Sequence, residues 1–452
     1  MKKLIENIDI IATFNKNLEE IENGWILIKD NIIEKIGVGN SPDVIADEVI
    51  DGKGMLILPG FVNTHDHFYQ SLFRAIPEAQ NAKHFDWLSS LYKKWMKIDE
   101  EAVKISTVIA ILEMMKSGVT TTVDHLYLFP KGHSGLFDAE SEGACLAGIR
   151  FYGIRGSMSL SEKDGGLPPD SVVQTEEEIF DDYERVVTLF HDPEPFSMSR
   201  VALGPCSLFT VTERLMVETA KFAAKKNLLI HTHLGESRDE REFCFLKFGL
   251  TPVDYMEKVG WLADRTWFAH LVHLNNTEIE KLSSAGVGMA YCPTSNMRLG
   301  DGIAPVYKMK NSFLKIGLGV DGGASNDTGN FLQEMRNGML LQRVKYGANA
   351  LTAREALFMG TMGGANVLKL NNEIGSIEEG KAADIVGFNL NRLEFAGGLS
   401  DPVSAIVFCD SKNVDFSMIN GETVIKDGDF VKINEQEFIE KHNSISRKLI
   451  SE

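Results

Sequence analysis

The sequence predicts an α/β protein: a (β/α)8 barrel of the TIM type, with a small β-sandwich domain formed from both chain ends. Three observations carry this expectation. The middle of the chain alternates short apolar runs with helical stretches at roughly 25–50-residue intervals, as a parallel sheet wrapped by helices requires. Both ends lack that alternation and carry β-branched runs broken by Asn, Asp and Gly. The chain is long, with 452 residues, 44% of them hydrophobic and 24% charged, so it can bury a large core without covalent staples.

Residues 1–58 read as the N-terminal part of the sandwich, in the runs IDIIATF, WILIKDNIIEKIGV and DEVIDGKGMLIL. Residues 59–370 read as the barrel. Its strand candidates are LPGFVNTH, TTTVDH, IRFYGIRG, VALGPCS, LLIHTH, TWFAH, GVGMAYCP and IGLGVD, separated by helical stretches such as Ala102–Lys116 and Thr212–Lys226. Thr352 and Glu355 have capping-box spacing, which places a helix after the eighth strand. Residues 371–452 return to the strand texture and close with a helix near Glu435 to Leu449. Within them Asn420-Gly421, flanked by Met418-Ile419 and Val424-Ile425, is a hairpin signal.

Lys plus Arg is 46 and Asp plus Glu is 64, a net charge of −18. That balance argues against a nucleic-acid polymer or an anionic membrane as partner, but not against a single nucleobase, which carries no phosphate. The five cysteines (Cys145, Cys206, Cys244, Cys292, Cys409) are scattered, with no C-x-x-C, so a reducing, cytoplasmic setting is expected. No apolar run reaches 18 residues, and charged residues interrupt the opening MKKLIENIDIIATFN, so neither a membrane span nor a signal peptide is expected.

In this fold chemistry gathers where the strands end. The first strand candidate runs into His65-Asp66-His67, and histidines two apart on an extended chain project to one side, where both reach a single metal ion. Alone, such a pair reads equally well as two ordinary loop histidines. The fifth strand ends His231-Thr232-His233 with Glu236 close behind, the sixth ends at His270 with His273 beyond it, and the eighth leads to Asp321. Four strands thus deliver histidines and an aspartate to one rim. Imidazole and carboxylate ligands suit zinc, or iron(II), with an open position for a catalytic water. Glu236 is the carboxylate available to shuttle protons.

The motifs LPGFVNTHDH, HTHLGES, FAH and GVDGGASND resemble the amidohydrolase superfamily, in its mononuclear deaminase and chlorohydrolase branch, over nearly the whole chain. The resemblance implies one zinc per chain, held by His65, His67, His233 and Asp321, with Glu236, His270 and Asp321 catalytic. His231 is then structural or supports a ligand, and His273 has no role. Binuclear members bridge two metals with a lysine ending the fourth strand; here that strand ends in Cys206 and Ser207. HFYQSLFRAIPEAQNAKHFDWLSSLY, DHLYLFP and RGSMSLSEKDGGLPPDSVVQ further resemble the 8-oxoguanine deaminase group, with Asp66 in place of a histidine. That likeness implies a small-molecule nucleobase substrate, 8-oxoguanine converted to uric acid and ammonia, with isoxanthopterin, guanine or a hydroxytriazine as alternatives, and a homo-oligomer. Candidate substrate-binding residues are Gln70, whose amide offers both donor and acceptor, and Arg155, His125, Trp87 and Cys206.

Overall fold

The computed structural model describes residues 1–451. Eight parallel strands close into a barrel: Phe61–Asn63, Val119–Leu126, Arg150–Ser157, Ser199–Pro205, Ile230–Leu234, Thr266–His270, Gly288–Tyr291 and Lys315–Leu318. They follow the eight apolar runs of the sequence in order. Closure pairs the eighth strand with the first at Leu318 and Asn63.

Alternation along each strand divides the core. Val62, Val123, Ile154, Ala202, Trp267, Ala269 and Ala290 share the cluster inside the barrel. Phe61, Leu203, Ile230, Phe268 and Met289 belong to the larger cluster between strands and helices. The helices start where the sequence supplies caps. Asp99 accepts from the Ala102 N–H to open Glu100–Lys116, and Thr212 does the same for Glu213–Lys226. The capping box at Thr352 is formed and opens Ala353–Phe358, but the first helix after the eighth strand is Phe331–Tyr346, capped by Asn330.

The chain ends build one nine-stranded sheet. Met55–Pro59 from the N-terminal side pairs antiparallel with Ile385–Asn389 from the C-terminal side. The two faces expected of a sandwich come from the curl of this single sheet: the turn at Asn31 meets the hairpin at Asn420, side chain to side chain at 3.2 Å. That hairpin turns on Asn420 and Gly421, both at positive φ. The last helix, Glu435–Ser451, docks on the barrel segment that follows the first strand, through His442 Nε2 to Ser71 Oγ (3.1 Å) and Ser446 Oγ to the Leu72 carbonyl (2.6 Å). Among the described residues no helix is long and apolar enough to cross a membrane.

Candidate active site

Hydrogen bonds fix the tautomers of the histidines at the C-terminal mouth of the barrel. His67 Nδ1 lies 2.9 Å from the His125 carbonyl, and His233 Nδ1 lies 2.7 Å from the Cys206 carbonyl. A carbonyl only accepts, so each Nδ1 carries the proton and each Nε2 keeps a lone pair. His231 Nδ1 donates to the Trp267 carbonyl (2.9 Å), which leaves its Nε2 to accept from His65 Nδ1 at 2.8 Å. His65 Nε2 is therefore a third lone pair, buried and without a partner.

These lone pairs converge with Asp321. His67 Nε2 faces His233 Nε2 at 3.1 Å, and Asp321 Oδ1 lies 3.5 Å from His65 Nε2 and 3.4 Å from His67 Nε2. Burial favours the neutral form of two of these imidazoles, lowering His67 to about 3 and His233 well below its ordinary value. Burial alone would raise Asp321, but the imidazoles of His65, His270 and His67 around it hold it well below the usual carboxylate range. Two lone pairs facing each other at hydrogen-bond distance repel unless a cation lies between them. The donor set could hold a metal ion: three imidazoles and one carboxylate, each imidazole oriented by a bond from its other nitrogen.

Two of the chemical groups arrive by breaking strand alternation. Trp267 and Ala269 face the interior, so a regular strand would turn His270 outward. His270 instead adopts φ 75° and Asp321 φ 65°, the left-handed region, at a cost of about 1–3 kcal/mol each for residues without glycine's freedom. His270 Nε2 consequently lies 3.3 Å from Glu236 Oε1 and 4.0 Å from Asp321 Oδ2. The Asn296 amide nitrogen donates to His270 Nδ1 at 3.1 Å, so Nε2 carries the proton, and it is buried with no hydrogen-bond partner. Glu236 is pushed well above its ordinary value, mainly by burial and further by Asp301 and Asp321, with only partial relief from His84. A carboxyl that holds its proton more tightly than an ordinary glutamate therefore stands beside the ligand cluster.

A cavity opens over this cluster, with His67, His233, Glu236 and Asp321 in its lining. Gln70, Trp87 and Cys206 line it. Gln70 Oε1 is buried with no partner, leaving an acceptor free. Its position depends on Gly322, where an added Cβ would fall 2.1 Å from Gln70 Oε1. Burial pushes the Cys206 thiol up to about 12, which makes it a wall and not a nucleophile.

Two expectations need correction. Arg155 does not line the cavity. Ile154 takes the inward position, so Arg155 faces out, stacks over the Phe129 ring at 3.6 Å and spends its donors on Asp182, the Gly156 carbonyl and Gln174. Its role is in the fold: Arg155→Met should destabilise the protein by about 3 kcal/mol, as loss of a buried ion-pair partner does, with KM unchanged. A denaturation midpoint measured beside a substrate titration checks this. His125 does point inward, but it lies beneath the ligands and outside the cavity lining, with Nε2 donating to the Gly204 carbonyl at 2.7 Å. His125, His65 and His233 each offer a ligand atom within 4.8 Å of the other two, so His125 belongs to the floor of the metal cluster.

With this geometry in hand, comparison with known proteins identifies the scaffold. The model of the amidohydrolase family matches residues 56–424. The chain belongs to the amidohydrolase family. Its relatives include 8-oxoguanine deaminase of Pseudomonas aeruginosa, 40% identical over 98% of each chain. Hydroxydechloroatrazine ethylaminohydrolase of a Pseudomonas species is 33% identical over 92% of this chain and 86% of the other. The crystal structure of atrazine chlorohydrolase TrzN from Arthrobacter aurescens complexed with zinc superposes with a TM-score of 0.94, at 30% identity over 99% of this chain and 100% of the other.

Sequence reading missed several residues of this amidohydrolase's cavity, among them His84, Tyr92, Tyr127 and Phe209. His84 opens the helix His84–Trp95 on the excursion after the first strand, inside a stretch quoted for its resemblance but away from any strand end. Burial alone would lower its pKa, but the carboxylates of Glu236 and Asp301 outweigh that and push it up to about 9. His273 lies only half-buried, outside the cavity.

Proposed function

We propose that this amidohydrolase is a hydrolytic deaminase of an amino-substituted heteroaromatic ring, and that its substrate is 8-oxoguanine, converted with water to uric acid and ammonia. The observation that carries the reaction class is the buried Glu236 carboxyl, which lines the cavity together with His67, His233 and Asp321 of the ligand cluster and lies 3.3 Å from His270 Nε2. The choice of 8-oxoguanine is supported by the 40% identity to an enzyme of that name.

His65, His67, His233 and Asp321 would hold a single metal ion, which we read as zinc. When bound, zinc supplies the Lewis acidity that makes water a nucleophile near neutral pH. Asp321, ionised at rest, accepts the proton released as the water oxygen adds to C2. Glu236 gives its proton to the adjacent ring nitrogen, takes another from the adduct's hydroxyl as the C2 carbonyl forms, and passes it to the amino group as the C–N bond breaks and ammonia leaves; the proton on Asp321 then restores Glu236. His270 Nε2–H orients the attacking oxygen and stabilises charge in the tetrahedral adduct. Gln70 takes the purine edge with its free acceptor, and Trp87 and Cys206 wall the pocket.

Ammonia release from 8-oxoguanine, isoxanthopterin, guanine, cytosine and hydroxytriazines, with metal content measured on the same sample, tests this reading. We expect the highest kcat/KM on 8-oxoguanine. Faster turnover of guanine would remove the substrate assignment and keep the reaction class. Release of chloride or ring opening without ammonia would remove both.

A further inference from the structure

Beside the ligand cluster stands a second group of ligand-type atoms, two of whose three members, His84 and Asp301, have no part in the reaction just described. His84 Nδ1 lies 3.6 Å from Glu236 Oε1 and 3.6 Å from Asp301 Oδ2, and the three ligand atoms all lie within 4.8 Å of one another. The His84 and Asp301 side chains are 7% and 4% exposed. His84 Nδ1 and Asp301 Oδ2 are both buried with no hydrogen-bond partner. Leaving such atoms unpaired is costly, and neither 3.6 Å separation is a hydrogen bond. A proton on Nδ1 could serve one carboxylate at most.

The separations suit a cation better. Ligand atoms around a tetrahedral ion with bonds of about 2.0–2.1 Å stand roughly 3.3–3.4 Å apart, close to the two 3.6 Å separations from His84 Nδ1, with the third pair within 4.8 Å. One imidazole and two carboxylates match a borderline divalent ion, and they come from three separate segments: the start of the helix His84–Trp95, the loop after the fifth strand, and the loop after the helix Pro293–Arg298. We propose that His84, Glu236 and Asp301 form a second seat for a divalent cation of the zinc type. With three protein ligands instead of four, it fills at higher free zinc than the histidine-rich site. An ion there holds the Glu236 carboxylate and so inhibits deamination. This inhibitory consequence rests on Glu236 being the proton donor; the seat does not.

The test equilibrates the full-length protein across a series of buffered free-zinc concentrations and measures bound zinc per chain and ammonia release on the same samples. Wild type should pass from one zinc to two, with activity falling over the second step. Asp301→Asn and His84→Gln should keep the first zinc and move the second step to free zinc about tenfold higher or more. Retention of the first zinc and an unchanged melting temperature show that each variant is folded. A wild type that stays at one zinc while excess zinc inhibits, or variants whose second step does not move, would overturn the seat. A second zinc that binds, responds to both variants and leaves activity intact would keep the seat and remove Glu236 as the proton donor.

Discussion

Glu236→Gln should retain the metal and lose about 10²–10⁴-fold in kcat, the range expected when a positioned general acid–base group is removed. The change preserves size and polarity at a buried position that faces His270 Nε2 at 3.3 Å, so the pocket keeps its shape. What disappears is the exchangeable proton. Burial and the neighbouring carboxylates keep that proton on the wild-type side chain, and an amide cannot pass it on. The discriminating measurement pairs kcat with metal content: turnover at the wild-type rate by the metal-loaded variant would show that another group carries the proton.

Removal of the metal should abolish turnover altogether and lower the melting temperature. In the metal-free protein, His67 Nε2 and His233 Nε2 present lone pairs to each other at 3.1 Å, and His65 Nε2 is buried with no partner. The ion relieves both penalties in the folded chain alone, so it stabilises by linkage: about 2.7 kcal/mol at a free concentration about one hundred times Kd. Chelation followed by dialysis should give an inactive, less stable protein, restored by one equivalent of zinc. Full activity in a stripped sample, or restoration that needs two equivalents, would contradict the single four-ligand site.

The strand–helix alternation and the β-rich ends were legible in the sequence because hydrophobic period and turn residues are local signals. The converging histidines were legible for a related reason: His231 and His233 share one parity on one strand, and both face inward. The same rule, applied to Ile154, would have turned Arg155 away from the pocket. A strand end states how high a residue sits, and only alternation states which way it faces. His270 and Asp321 escape even that rule, because a positive φ reverses the parity and leaves no mark on composition. His84 and Asp301 were beyond local reading, since 217 positions of chain separate them (301 − 84) and only the closed barrel brings them to one mouth.

The sheet shared by both chain ends bears on how this protein is made. During synthesis Met55–Pro59 emerges long before its antiparallel partner Ile385–Asn389, and until that partner arrives it presents one row of backbone donors and acceptors to anything nearby. Pairings this distant in sequence are late and slow, so the nascent chain carries an open sheet edge through the translation of the entire barrel. A ribosome that stalls or terminates before Ile385 therefore releases a barrel tethered to an unpaired, aggregation-prone edge. The C-terminal strands act as the quality stamp of a finished chain: only a polypeptide translated through to them can hide the edge that its own beginning exposes.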